Sequence, residues 1–203
     1  IGLVGSEMCI RDSPCAATRR MLHPGLLGRA HVEAAEARAG AAYRVLTWEG
    51  ESDPEYLDDL ARLNGDMSID APAGDLEVDE EQWDAERVSQ MARRALAAGS
   101  TFLNAAVLHV PSRTLVAQSM LQLDLDDTTR PAQQDNTLVT STHRGRRLGM
   151  LVKAANLVQL AERYPECTGV FTWNAEENAH MLRVNEALGF VPLAPEGGWQ
   201  KRL

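Results

Sequence analysis

The segment from Asp135 to Lys153 constrains the fold of this chain more than any other stretch. It opens with β-branched residues, turns at His143, Arg144 and Gly145, and continues with apolar residues at helical spacing. A strand that ends in such a turn and opens a helix leaves backbone N–H groups at the positive end of the helix dipole. The turn contains no Asp or Glu. The segment therefore predicts a binding site for a phosphate group.

The composition makes this basic turn unusual. The chain has 203 residues and a formal net charge of −9, so Arg144, Arg146 and Arg147 stand against an acidic background. An acidic chain is a poor general binder of nucleic acid, and a small anionic ligand suits the turn better. The sequence has no apolar run long enough to span a bilayer. We therefore expect a small-molecule ligand, with no nucleic acid and no membrane as partner.

Cysteine and histidine spacing argues against a metal site. The three cysteines, Cys9, Cys15 and Cys167, have no metal-ligand spacing, and the five histidines form no ligand pair. These patterns predict a reduced, cytoplasmic protein that uses no metal.

The two ends of the chain differ in character. Residues 1–13 fit no pattern downstream and resemble translated sequencing-adapter read-through, so we treat them as a non-native segment and expect the chain to be a fragment. Residues 14–41, with a short Ala-rich helix from Arg29 to Ala39, are expected to be a linker or the tail of a lost upstream domain. The length then suits one domain, over residues 42–203.

Within this domain, hydrophobic periodicity predicts the order β, α, α, β, β, β, α, β, α, β, β. Phe102 to Val110 and Leu115 to Leu125 are expected to pair as an antiparallel hairpin. The helix after the basic turn runs from about Arg147 to Arg163. Its polar residues are assigned to solvent by the 3.6-residue period: Lys153, Asn156, Gln159 and Arg163. The chain is expected to close as a hairpin around residues 197–198.

Two motifs follow one another in this order. The first is Arg144-Gly-Arg-Arg-Leu-Gly149, between the strand and the helix. The second is Asn178-x-x-Met181-x-x-x-Asn185-Glu-Ala-Leu-Gly-Phe190, on the next helix. They resemble the acetyl-CoA pyrophosphate loop and the later helix of the GNAT superfamily, the Gcn5-related N-acetyltransferases. A further set of motifs is similar to the C-terminal half of actinobacterial proteins with two GNAT domains in tandem: His143-Arg-Gly-x-Arg-Leu-Gly149, Lys153-Ala-Ala-Asn156 and Thr172-Trp-Asn-Ala-Glu-x-Asn178.

The resemblance implies a GNAT fold of the α/β (α+β) class. The expected mixed sheet has about six to seven mostly antiparallel strands, is splayed between the fourth and fifth strands, and is flanked by four helices. The implied activity is direct transfer of acetyl from acetyl-CoA, as co-substrate, to a primary amine of a small molecule or peptide. The resemblance also implies an upstream GNAT domain as a partner in the full-length protein.

The resemblance further implies a set of cofactor-binding residues. Backbone groups of Leu138, Val139 and Thr140 would pair with the pantetheine arm. The basic turn and helix start would hold the pyrophosphate through Arg144, Gly145, Arg146, Arg147, Leu148, Gly149 and Met150. The predicted cofactor site is completed by Asn174, Asn178 and Met181. In this set, Arg147 stands where the family pattern has a glycine, and Asn178 is also expected to cap its helix.

The catalytic assignments leave two readings open. Asp135 is the candidate base, through a water, although it could equally be a simple strand-start acid. Asn185 stands where many family members have a Tyr acid; it cannot give up a proton at neutral pH but could hydrogen-bond the sulfur. The alternative is a non-catalytic acyl-CoA-binding or scaffold half of a tandem-GNAT protein. A nucleotide-binding βαβ domain is set aside because neither of its glycine fingerprints is present.

Overall fold

The computed structural model describes residues 15–22, 29–70, 81–175 and 178–198. The strands are β1 (Cys15–Leu22), β2 (Tyr43–Glu49), β3 (Ser100–His109), β4 (Thr114–Asp124), β5 (Ala132–Val139), β6 (Val170–Ala175) and β7 (Val191–Gly198). The helices are α1 (Arg29–Ala39), α2 (Leu57–Asp70), α3 (Ala85–Ala97), α4 (Leu148–Arg163) and α5 (Ala179–Ala187). Among these helices, none combines the length and apolar character needed to cross a membrane.

The described strands form one seven-stranded sheet in the order β2-β3-β4-β5-β6-β1-β7. All neighbours are antiparallel except β5 and β6, which are parallel. The predicted hairpin is present as β3 and β4, in which Ser100 pairs with Asp124 and His109 pairs with Thr114. The predicted mixed, mostly antiparallel sheet is therefore confirmed.

The sheet is splayed between β5 and β6. The two strands pair only at Ala132 with Val170 and at Gln133 with Phe171. Strand β5 nevertheless continues to Val139, and β6 also extends past the last pair. The strands therefore diverge and leave one edge of β5 without a strand partner. This gap lies between the fourth and fifth strands counted from β2, as predicted.

Strand β1 is the main departure from the sequence prediction. Residues 14–41 were expected to be a linker or a tail, yet Cys15–Leu22 lies inside the sheet, antiparallel to both β6 and β7. Two partner strands can order a segment whose own strand propensity is low, because both of its edges join ladders. Helix α1 packs against α4, so this part of the segment is also structural. The assignment of 14–41 to an upstream domain stays a prediction, and residues 1–13 lie outside the described ranges.

The junction between β6 and β1 makes a testable prediction. A Cβ added at Gly169 would lie 2.9 Å from Met21 Cε and 3.0 Å from the Leu22 carbonyl oxygen. We expect Gly169→Ala to lower the free energy of unfolding by about 1–3 kcal/mol, the cost of overpacking a tight site.

Gly65→Ala is the matched control in urea denaturation. Gly65 lies inside α2, and the nearest atom to an added Cβ is 3.9 Å away. This change should stabilise the protein by up to about 1 kcal/mol through helix propensity. Equal stability of Gly169→Ala and wild type would contradict the close approach of β1.

Helix α4 is buried on the face that the sequence assigned to solvent. Lys153, Asn156 and Gln159 are 1%, 0% and 6% exposed. Asn156 Nδ2 donates to the carbonyl oxygens of Leu103 and Ser119, at 2.9 and 3.1 Å. The prediction was wrong for these three residues and is confirmed for Arg163, which is exposed. Periodicity places polar side chains in water, whereas here the three meet backbone and side-chain acceptors of the sheet.

Two element boundaries also differ from the prediction. Pro72 and Gly74 predict a loop over residues 67–78, but α2 continues to Asp70. Residues 71–80 lie outside the description. The predicted turn at residues 197–198 is absent, because β7 runs through both glycines and pairs there with β1. The last five residues, 199–203, are not among those described.

Candidate functional site

A cleft of about 360 Å³ lies between the start of α4 and one face of α5. The first wall is formed by residues that the sequence predicted for cofactor binding: Val139, Arg144, Gly145, Arg147, Leu148, Gly149 and Met150. The second wall was not predicted and consists of His180, Arg183, Val184 and Ala187. The spacing i, i+3, i+4, i+7 of this second set places it on one helical face and was the signal that could have found it.

The turn before α4 exposes a helix start. Gly145 and Arg147 both adopt positive φ angles, of 80° and 60°, and the helix begins at Leu148. No described side chain caps this helix. The N–H groups of its first turn have no partner within the helix, so they and the helix dipole favour an anion at this point.

The backbone groups of β5 alternate between strand β4 and the splayed edge. Thr140 donates its backbone N–H to the Val116 carbonyl oxygen at 2.9 Å, toward β4. The direction of the backbone N–H and C=O groups alternates along an antiparallel strand. Those of Leu138 therefore also point to β4, whereas those of Thr137 and Val139 point to the splayed edge. The pantetheine contacts of Leu138, Val139 and Thr140 stay predictions, and of these three residues Val139 turns its backbone groups to the splayed edge. Leu138 instead buries its side chain in the cluster that α2 forms with the sheet.

A bulge in β5 places Asp135. Ser119 pairs with Thr137 and Leu121 pairs with Gln134, so two residues of β5, Asp135 and its neighbour, lie opposite one residue of β4. Bulges of this kind re-aim side chains, often beside active sites. Asp135 is exposed, yet it lies close enough to protein atoms that desolvation raises the pKa of its carboxyl group. A raised pKa suits a group that accepts and returns a proton.

Asn185 lies away from the cleft. It is 0% exposed, and its Nδ2 donates to Asn174 Oδ1 at 2.6 Å, which links α5 to β6. The catalytic role of Asn185 stays a prediction, and its burial favours a structural role. Asn178 accepts a hydrogen bond from the Met181 backbone N–H at 3.2 Å, so the predicted helix cap is present. None of these residues lines the cleft as described, and their cofactor contacts stay predictions.

A ring cluster of Tyr43, His109 and His143 supports the basic turn from the β2 side. The Tyr43 hydroxyl and His143 Nδ1 are 2.9 Å apart, and the rings of His109 and His143 have centroids 4.7 Å apart. The Arg146 guanidinium lies over the Tyr43 ring, at 5.6 Å from its centroid. Desolvation, with the nearby charges of His109, Arg146 and Arg62, lowers the pKa of His143. A neutral His143 therefore anchors the turn at neutral pH. Tyr43, His109 and His143 are far apart in sequence, and so no local spacing could have revealed this cluster.

The described ranges contain no group of three or more His, Cys, Asp or Glu side chains arranged to hold a metal ion. The site is instead one of backbone donors, arginines and a strand edge.

Comparison with solved structures agrees with this geometry. A tandem GNAT protein from the clavulanic acid biosynthesis pathway, solved without acetyl-CoA, aligns with 93% of this chain at a TM-score of 0.69 and 25% sequence identity. The chain has the GNAT fold. The resemblance to the GNAT superfamily and to a tandem GNAT protein, stated from two motifs, is thus confirmed.

Two further GNAT structures share the fold at lower identity. They are a GCN5-related N-acetyltransferase from Kribbella flavida, with a TM-score of 0.51 and 16% identity, and a putative acetyltransferase from Novosphingobium aromaticivorans, with a TM-score of 0.55 and 13% identity. This chain aligns over 89% and 92% of its own length with them, and covers 55% and 64% of theirs. It covers 54% of the tandem protein, so it spans about half the length of that GNAT structure. No protein-family model and no curated protein matches the chain.

Proposed function

We propose that this GNAT-fold chain is an acyl-CoA-dependent N-acyltransferase that transfers acetyl from acetyl-CoA to a primary amine of a small molecule or peptide. One observation carries the proposal: an unpaired strand edge leads directly to an uncapped helix start flanked by arginines. Acyl-CoA has the matching order of groups, with an amide-containing arm that ends in a diphosphate.

The edge of β5 would hold the arm of acyl-CoA. The backbone groups of Thr137 and Val139 face the splayed gap, where two ligand amides can pair with them as an added strand would. The diphosphate would then meet the N–H groups of residues 148–150. Arg144 lies beside this point and donates its Nε–H to the Val139 carbonyl oxygen at 3.1 Å. The Arg144 guanidinium group would add charge-assisted contacts to the phosphate oxygens.

Bound acyl-CoA supplies an activated thioester carbonyl for attack by the amine. The amine nitrogen must lose a proton as the C–N bond forms and the C–S bond breaks. Asp135 is the group proposed to take this proton through a water, because it lies in the β5 bulge at the splayed edge and its pKa is raised. The proton returns to the thiolate, so CoA leaves as the thiol.

The test is release of free CoA thiol by the full chain, with acetyl-CoA and a broad panel of amines. We expect Asp135→Asn to lower kcat about tenfold or more without changing acetyl-CoA affinity. The wild-type rate should fall as the pH falls through the Asp135 pKa, because the protonated carboxyl group cannot accept a proton.

Asp58→Asn is the matched control, because Asp58 is an exposed carboxylate in the first turn of α2 that does not line the cleft. It should leave kcat unchanged. The absence of thiol release above background with every amine would reject the catalytic proposal.

A second candidate is a non-catalytic acyl-CoA-binding or scaffold half of a tandem-GNAT protein. The burial of Asn185 favours it, because the position of the expected acid then offers no group to the sulfur. The span of about half of a tandem GNAT structure is consistent with an upstream GNAT domain as the partner. Calorimetric binding of CoA by this chain, without turnover, would select this alternative.

A further inference from the structure

We infer that His180 and Arg183 of α5, together with Arg147, form a second anion subsite in the cleft, which binds the 3′-phosphate of acyl-CoA. This inference rests on the proposed function and goes beyond it. It predicts that the protein selects CoA over the 3′-dephospho form.

The charge of the cleft is the first observation. Arginines lie on both walls: Arg144 and Arg147 on the side of the basic turn, and Arg183 on α5, with His180 one turn before it. Among the described residues that line the cleft, none is Asp or Glu. The whole chain has 29 acidic and 20 basic residues. A cleft lined by basic and by no acidic residues therefore differs from the average charge of the chain.

The pairing of these side chains is the second observation. Within the described part of the chain, the side chains of Arg147, His180 and Arg183 make no hydrogen bond or ion pair. Other surface arginines do have such partners, including Arg29 with Glu162 and Arg163 with Glu49. The acidic residue of α5, Glu186, pairs with Arg20 of β1 and not with Arg183. The side chains of Arg147, His180 and Arg183 therefore offer their N–H groups to an external anion.

The chemistry of CoA assigns this anion. Its diphosphate is matched by the backbone N–H groups at the start of α4 and by Arg144. CoA carries one more phosphate, a monoester on the ribose, with a charge of about −1.5 to −2 near neutral pH. Arg147 and the polar side chains of the second wall, His180 and Arg183, are then the donors for this group. Val184 and Ala187 continue the same helical face with apolar surface, against which the nucleoside can pack.

The backbone at Arg147 supports the assignment. Its φ of 60° and ψ of 22° are left-handed, a conformation that glycine adopts freely and that costs other residues about 1–2 kcal/mol. Two residues earlier, where φ is also positive, the chain has a glycine, Gly145. An exposed arginine with this strained backbone does not stabilise the fold. We therefore expect its charge to serve ligand binding.

Calorimetric titration of the full wild-type chain with CoA and with 3′-dephospho-CoA is the direct test. We expect CoA to bind at least about tenfold more tightly, the effect of one lost charge-assisted contact. Arg183→Ala and Arg147→Gly should weaken binding of CoA and leave binding of 3′-dephospho-CoA nearly unchanged. Arg147→Gly should also raise the thermal stability.

Arg113→Gly is the matched control. Arg113 has a φ of 56°, lies in the turn between β3 and β4, and does not line the cleft. It should give a similar gain in stability with no change in either affinity.

The outcomes separate the two proposals. Equal affinity of the wild type for CoA and 3′-dephospho-CoA would overturn this inference and leave the proposed function standing. An equal loss for both ligands in Arg183→Ala would also overturn it, because Arg183 would then serve the diphosphate. If neither ligand binds the wild type, the proposed function fails and this inference fails with it.

Discussion

Replacing Lys153 with Met is expected to raise the free energy of unfolding at pH 7 by a few kcal/mol. It should also remove a rise in stability that the wild type shows between about pH 7 and pH 10. The reason is the burial of the lysine ammonium group. Lys153 is 1% exposed, its Nζ donates to Gln134 Oε1 at 3.1 Å, and the Phe190 ring centroid lies 5.3 Å from it. No carboxylate in the described part of the chain pairs with it, and burial lowers the pKa of Lys153 to about 7.

The sign of the pH dependence follows from linkage. In the unfolded chain the lysine keeps a pKa of about 10.4. Between the two pKa values the unfolded state binds a proton that the folded state does not, so stability rises with pH. The slope approaches about 1.4 kcal/mol per pH unit. Below pH 7 both states are protonated, the slope vanishes, and the folded state carries a buried charge.

Urea denaturation of wild type and Lys153→Met at pH 6, 7, 8 and 9 measures this effect. The difference between their free energies of unfolding cancels the contribution of the other titrating groups. Lys153→Arg is the control. Its guanidinium group stays charged in both states, so this variant should be destabilised and should lack the rise in stability with pH that the wild type shows. The same rise in stability with pH in Lys153→Met would show that Lys153 is not its source.

Replacing Gly149 with Leu is expected to weaken CoA binding by about a hundredfold, or about 3 kcal/mol, while the protein stays folded. An added Cβ at Gly149 would meet only Val139 Cγ2 among neighbouring atoms, at 3.6 Å, which is an ordinary contact. The rest of the leucine side chain would extend into the cleft, over the N–H groups proposed to meet the diphosphate. Leucine is also the better helix former, so the fold should not suffer.

Calorimetry with CoA and thermal unfolding of the same samples test this prediction together. Gly149→Ala should give an intermediate loss of affinity, because a methyl group blocks less of the approach. Gly65→Ala, within α2 and outside the cleft, should leave CoA affinity unchanged. Unchanged affinity in Gly149→Leu would contradict the assignment of the basic turn as the diphosphate site.

The sequence predicted the structure correctly where local structure depends on residues that are close together in the chain. The Gly- and Arg-rich turn, the start of α4 and the Asn178 cap are set by local backbone preferences and by helix periodicity, and all three lie where they were predicted. The β3–β4 hairpin follows from two apolar runs with a short turn. The basic turn forms the first wall of the cleft, so the residues predicted from this local motif line it.

The rest depended on contacts between distant segments. Strand β1 is ordered by pairing on both of its edges, which its own residues do not specify. Burial of Lys153 and Asn156 depends on carbonyl oxygens and amides of the sheet, which periodicity cannot register. The α5 wall faces the basic turn only because β6 and β5 diverge. The sequence by itself thus determined the Gly- and Arg-rich turn and the family resemblance. Only the tertiary structure decided which backbone groups of β5 face the gap, where Asp135 lies and which cations complete the cleft, because pairing register and burial arise between segments far apart in the chain.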